Sequence, residues 1–306
     1  MKCLVTGGTG FVGSNLALHL QDLGHEVLIT GNESEQPIPE FTGKRLFPGL
    51  FGVDLDRIGT IDVLFHQAAI NNTRMTDRGE MLRANLEAPL ELFRHVIENG
   101  CRRIVYASTT AVYGRNPAPY REDGPFDLNT PYAESKKLLE DASMALSSEY
   151  PGVVTVGLRY CNVYGPRENH KGSRATMIHQ FARQMLTGNP RLYEFGEQKR
   201  DYVYVKDVIR ANEAAAEAGE SCVVNCGSGR ATTFNELVAI LDGVLGLERV
   251  PEYIPNPYEG SYQNDTTCDM SLAAKLLGFV PSFGIIDGIR DYHREGWLTA
   301  ARWGLQ

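Results

Sequence analysis

The sequence predicts an α/β protein: a doubly wound parallel sheet with a smaller C-terminal domain. Three observations carry this. Short apolar runs alternate with amphipathic stretches up to Tyr160. A glycine-rich turn stands at the first junction between the two kinds of segment. Past Tyr160 the alternation loosens into Gly and Pro clusters at 165–172, 188–190 and 255–260.

Taken in order, Lys2–Thr6 is a short apolar strand. Residues 11–23 place Val12, Leu16, Leu20 and Leu23 on one helical stripe. Glu26–Thr30 is a second strand. Residues 31–60 are rich in Pro and Gly and read mostly as loop, with a short strand at 45–47. Residues 61–66 form a strand, and 80–99 a long amphipathic helix stopped by Gly100. A strand at 103–107 precedes a helix over 130–146, with Thr130 as N-cap and Pro131 in its first turn. Residues 153–160 are again a strand. Strands alternating with helices imply parallel pairing through right-handed crossovers.

The 306 residues are 42% hydrophobic and 22% charged, enough apolar material for a sizeable core. No apolar run nears the roughly 20 residues that span a bilayer, and MKCLVTGG does not read as a leader. A soluble cytoplasmic protein with no membrane partner is expected. Its net charge of −8 argues against a general nucleic-acid binder. Residues 159–206 nevertheless hold nine Lys/Arg against four Asp/Glu, a basic segment suited to an anion such as a pyrophosphate. The six cysteines, at 3, 101, 161, 222, 226 and 268, form no CxxC pair and no zinc pattern. They read as reduced core residues, and no metal is expected.

TGGTGFVG at 6–13 lies between a predicted strand and a predicted helix. Gly7 permits the tight turn, Gly10 the approach of a pyrophosphate and Gly13 close helix packing. The helix N-terminus then offers amides and dipole to the phosphates. This predicts a dinucleotide-binding Rossmann domain over 1–160 with 201–248, and a substrate-binding domain over 161–200 with 249–306. The acidic residue usual after the second strand is absent, because Gly31-Asn32 stands there. That leaves both NADP and NAD open, with a lean to NADP, although Glu33 and Glu35 follow and Lys44 and Arg45 are the nearest cations.

Tyr132-x-x-x-Lys136 places both side chains on one helix face, where the ammonium would lower the phenol pKa. Tyr132 could then exchange a proton with a sugar hydroxyl, and Thr109 supplies a hydroxyl for the same oxygen. Tyr202-x-x-x-Lys206 has identical spacing but sits in DYVYVKD, which reads as a strand and would hold the two side chains apart. In RYCNVYGPRENHKGSR, Asn162 is a candidate sugar or phosphate contact. Lys171, on a Gly-flanked loop, is a second acid/base or a phosphate contact. Arg200 could fork onto a diphosphate, and Tyr262 could line the same cleft.

TGGTGFVG, HQAA at 66–69, YASTTAVYG at 106–114 and PYAESK at 131–136 together resemble the extended short-chain dehydrogenase/reductase (NAD-dependent epimerase/dehydratase) superfamily. Within it, NVYGPRENHKGS, KRDYVYVKDV and PNPYEGSYQ most resemble ADP-glycero-manno-heptose 6-epimerases. The resemblance implies Tyr132, Lys136, Thr109 and Lys171 as catalytic residues. It implies Asn162, Ser173, Arg200 and Tyr262 as substrate contacts. For the cofactor it implies Phe11, Val12, Asn32, Asn85, Lys136 and Val163, with the segment from Gln67 through Ala68 and Ala69 to Asn71. The chain departs from the pattern at Gly31, at the loop 72–78, and at Gln180, where a His is usual with His179 beside it. The expected reaction is epimerisation of a nucleotide-diphosphate sugar: oxidation to a ketone, then re-reduction on a bound NAD(P), in a homo-oligomer. A UDP-sugar 4-epimerase is the rival reading, and a non-catalytic dinucleotide sensor a remote one. Thr110-Ala111, where dehydratases carry an Asp-Glu pair, disfavours dehydration.

Overall fold

The computed structural model describes residues 1–32, 38–47, 55–73, 75–256 and 265–305. Twelve strands appear among them: β1 (Lys2–Thr6), β2 (Glu26–Thr30), β3 (Lys44–Leu46), β4 (Val63–His66), β5 (Arg103–Thr109), β6 (Val154–Tyr160), β7 (Asn162–Tyr164), β8 (Arg191–Tyr193), β9 (Lys199–Tyr204), β10 (Cys222–Cys226), β11 (Ala231–Thr233) and β12 (Glu252–Ile254). The α-helices are α1 (Phe11–Asp22), α2 (Arg78–Leu82), α3 (Ala88–Glu98), α4 (Pro131–Glu149), α5 (Met177–Thr187), α6 (Val205–Ala216), α7 (Phe234–Leu245), α8 (Ser271–Leu277) and α9 (Ile285–Arg294).

Seven strands form one sheet in the order β10-β6-β5-β4-β1-β2-β3, every neighbouring pair parallel. This is the doubly wound α/β sheet expected from the alternation. Its strands are apolar on both faces because helices cover both. Cys3, Val5, Val27, Ile29 and Phe65 enter one buried cluster, and Leu4, Leu28, Leu64 and Ile104 another. The period of two sends alternate residues to opposite sides. Smaller sheets, β11-β9-β7 and β12-β8, lie outside it.

Two local expectations are corrected. The helix expected over 80–99 runs on from Arg78 to Glu98, but it is not α-helical throughout: it takes a π-helical turn at Arg83–Glu87. The turn carries Asn85, which is fully buried and bonds the Ile70 amide at 2.8 Å and its carbonyl at 2.9 Å. Single π turns inside α-helices are rare and gather at functional sites. The strand expected through DYVYVKD ends at Tyr204, and Val205 opens α6. Lys206 is held there by Asp291 and Glu295, each at 2.5 Å, charges distant in sequence.

Candidate active site

The carboxyl ends of β1, β2, β4, β5 and β6 open onto a cavity of about 890 Å³. It lies where strand order reverses between β1 and β4, the position at which such sheets bind ligands. The turn after β1 forms one wall. Gly7 has φ +63°, and a Cβ there would stand 2.8 Å from the Ala68 nitrogen. A Cβ at Gly13 would stand 2.1 Å from the Gly7 carbonyl oxygen. Only glycine lets the turn close this far. Gly10 is the N-cap of α1, and no side chain caps that end. By contrast, the Thr130 hydroxyl caps α4 by accepting the Ala133 amide at 3.1 Å. The first-turn amides of α1 and the positive end of its dipole thus face the cavity, the donor set that a pyrophosphate requires.

Thr6 fixes the adjoining wall. Its hydroxyl oxygen accepts the Gln67 and Ala68 amides, each at 3.2 Å, and donates to His66 Nδ1 at 2.9 Å. Burial, helped by the Lys136 charge, pulls the His66 pKa down to about 3, so the ring is neutral and can accept. The sequence of HQAA gives no sign of this support, because only the fold brings Thr6 beside it.

Gly31 also lines the cavity. A Cβ on it would stand 2.0 Å from Thr9 Oγ1. Thr9 therefore fills the space an acidic side chain would take. Lys44 Nζ donates to the Arg57 carbonyl at 3.2 Å, and Arg45 Nη2 to the Ile38 and Phe41 carbonyls at 2.8 and 3.0 Å. Glu33 and Glu35 lie outside the described residues.

Thr109 ends β5, while Tyr132 and Lys136 stand one turn apart on α4. All three line the cavity. Burial pushes the Tyr132 pKa up, and the Thr109 side chain offsets part of the rise. This corrects the expectation of a phenol pKa lowered by Lys136. Lys136 is 1% exposed and donates to the Ala107 carbonyl at 2.9 Å. Burial pulls its own pKa down to about 8, against the opposing charge of Glu140.

Lys171 reaches the same cavity from the turn Asn169–Arg174. Its ammonium lies 5.2 Å from the centroid of the Phe11 ring. Burial lowers its pKa, Glu168 opposes that and Arg174 reinforces it. Asn15, which sequence reasoning passed over, ties this loop to α1 by donating to the Phe11 carbonyl at 2.9 Å and the Pro166 carbonyl at 3.0 Å.

Of the other residues singled out by sequence, Gly7, Gly10, Phe11, Val12, Gly13, Asn32, Gln67, Ala68, Ala69, Asn162 and Val163 line the cavity. Asn85 lies behind the wall, propping Ile70. Ser173 is exposed, and its carbonyl accepts Gln180 Nε2 at 3.2 Å. Arg200 lies 5.7 Å over Phe234, which lines a second cavity of about 450 Å³. Gln180 lines this second cavity too, and Met177 is common to both. His179 is buried against Tyr292 and Trp303. Tyr262 lies outside the described residues. Tyr202 and Lys206 are on neither wall.

Cys161, Asp201 and Cys268 group their ligand atoms within 4.8 Å of one another. The Asp201 carboxylate, however, already accepts the amides of Ser228, Gly229 and Cys268 and the Ser228 hydroxyl. The thiol sulfurs are 2.7 Å apart, closer than two thiolates would stand on one zinc with bonds of about 2.3 Å. The group is satisfied within the protein.

Residues 3–227 match the NAD dependent epimerase/dehydratase family. The ADP-L-glycero-D-manno-heptose-6-epimerase of Alkalilimnicola ehrlichii is 34% identical, over 94% of this chain and 95% of that one. The crystal structure of the Helicobacter pylori enzyme of the same name is 34% identical, with a TM-score of 0.87 over 96% of this chain and 95% of that one. UDP-glucose 4-epimerase of Thermotoga maritima, solved with UDP-glucose, is 30% identical with a TM-score of 0.87, covering 97% of this chain and 99% of that one.

Proposed function

The chain belongs to the NAD dependent epimerase/dehydratase family, and from that membership we propose that it epimerises a nucleotide-diphosphate sugar. The observation that carries the reading is one cavity walled by the glycine turn, Thr109, Tyr132, Lys136 and Lys171. Gly7, Gly10 and Gly13, with the α1 amides, hold the pyrophosphate of the cofactor. Val12, Asn32, Ala68, Ala69 and Val163 flank it, and Asn85 acts by propping Ile70. Bound there, the nicotinamide would supply the acceptor and donor of hydride for the sugar carbon. NAD is the better reading than NADP, because Lys44 and Arg45 are engaged by backbone carbonyls and the cavity wall at Gly31-Asn32 offers no cation. Replacing Gly13 by Ala pushes a methyl into the Gly7 carbonyl. It is expected to weaken cofactor binding at least about tenfold, read by titration calorimetry of the stripped protein.

Tyr132 takes the proton of the sugar hydroxyl as the carbon loses hydride, leaving a ketone. Thr109 holds the same oxygen, and Lys136 adds positive charge beside the phenol. The ketone is reduced on its opposite face while Lys171 protonates the oxygen, so net oxidation is zero. Asn162 faces the substrate from the cavity wall, and Ser173 and Arg200 contact it from beyond that wall. Arg200 beside the second cavity suits a diphosphate reaching between the two cavities.

We take ADP-glycero-manno-heptose as the substrate, on the two relatives of that name and the PRENHKG loop. A UDP-sugar 4-epimerase is the alternative, on the Thermotoga likeness. Each nucleotide sugar is incubated with the protein and its epimers are resolved by chromatography and NMR. Conversion of the ADP-heptose is expected. Preferential conversion of UDP-glucose would install the alternative, and conversion of neither would sink the epimerase reading. A cytoplasmic homo-oligomer completes the proposal, to be read from light scattering. Among the described residues, no helix is long and apolar enough to cross a membrane.

A further inference from the structure

Glu168 caps the turn Asn169–Arg174 that carries Lys171. Its side chain is fully buried. Oε1 accepts the Gly165 amide at 3.3 Å, the Thr176 hydroxyl at 3.1 Å and the Tyr292 hydroxyl at 3.3 Å. Oε2 accepts the Thr176 amide at 2.9 Å. The two amides can only donate, so each carboxylate oxygen must accept; burial pushes the Glu168 pKa up, and the Lys171 charge and these bonds oppose the rise. Gly165 and Thr176 are the two ends of the loop, and Tyr292 belongs to α9. The Glu168 carbonyl also accepts the Lys171 amide at 3.0 Å. One buried carboxyl group therefore closes the loop into a ring and fastens it to the C-terminal helix.

We propose that Glu168 is the positioning residue for Lys171: its carboxylate fixes the loop that presents the ammonium to the cavity and sets a buried negative charge against it. The inference rests on Lys171 as the second acid/base. Glu168 and Arg174 act on Lys171 from its own loop and His179 from α5, the Phe11 ring of α1 lies beside it, and His170, Tyr132 and Lys136 line the same cavity. Burial alone draws the Lys171 pKa down, Arg174 draws it further, and Glu168 pushes it back up. His179 is neutral at physiological pH, since burial with the charges of Arg183 and Lys171 holds its pKa at about 4. Removing the Glu168 charge must therefore lower the pKa of Lys171. An acid that has lost its proton at working pH cannot donate one.

The test needs no substrate. The reactivity of Lys171 toward acetic anhydride is followed against pH by mass spectrometry in the full-length protein. In Glu168→Gln its titration midpoint is expected to fall by about one unit, and in Glu168→Asp to stay near the parent value. An unchanged midpoint in Glu168→Gln would overturn the electrostatic half. If that variant fails to fold, Tyr292→Phe tests the other half, because it removes one donor and leaves the charge. Amides of 166–175 are then expected to exchange with deuterium at least about tenfold faster, with the Lys171 midpoint in place. Unaltered exchange would overturn the positioning half. Lys171→Met separates this inference from the reading it rests on. Full turnover in Lys171→Met refutes the acid/base role, whereas lost turnover with an unmoved Glu168→Gln midpoint refutes only the present inference.

Discussion

Tyr132→Phe is expected to lower kcat by about 10²–10⁴-fold and to leave the fold and the bound cofactor nearly untouched. The substitution removes one oxygen from a side chain that lines the cavity at the start of α4. Its hydroxyl stands one turn before Lys136 on the same helix face. The ring remains, so packing is preserved, and the loss falls on proton transfer. Burial holds the phenol pKa above its ordinary value. In the absence of ligands the group is thus protonated at neutral pH. The positive charge of a bound oxidised nicotinamide would have to lower that pKa for Tyr132 to act as a base. The measurement is turnover on the active nucleotide sugar, together with cofactor absorbance per chain. Retention of full turnover would remove Tyr132 from the mechanism. Loss of turnover with loss of cofactor would make it a binding residue.

The second large effect lies behind the site. Arg159 on β6 meets Glu140 on α4 in a two-pronged ion pair at 2.9 and 2.8 Å, with side chains 4% and 2% exposed. Ser108 donates to the same carboxylate at 2.5 Å, and Arg159 also donates to the Tyr113 hydroxyl at 2.8 Å. Arg159→Met leaves a buried carboxylate without its cation. The expected cost is about 3–5 kcal/mol, or roughly 5–15 °C in Tm. Glu140 lies one turn beyond Lys136 on α4, so the loss should reach turnover as well as stability. Replacing both Arg159 and Glu140 by Met removes both charges and is expected to recover most of the melting temperature. Calorimetry of the single and double variants checks this. A single variant that melts with the parent would show that the pair holds nothing together.

How much of this was legible follows from the range of each signal. The strand-helix alternation, the glycine turn, the Thr130 cap and the Tyr132-Lys136 spacing are local. Backbone sterics and periodicity write them into neighbouring residues, and the family resemblance rests on the same short runs. The π-helical turn at Asn85 was not legible, because its cause is a hydrogen bond to Ile70. The start of α6 within DYVYVKD was hidden for the same reason, since Lys206 is held by charges on α9. The Tyr132 pKa was misjudged because spacing shows which charges are near but not how much water is excluded.

By itself, the sequence determined the doubly wound sheet and named the candidate groups that could move a proton. Only the tertiary structure decided their environments. It put Thr9 in the space left by Gly31, turned Lys44 and Arg45 onto carbonyls and set Glu168 against Lys171. Those outcomes depend on burial and on partners distant along the chain, and desolvation is a property of packed volume that no local pattern encodes.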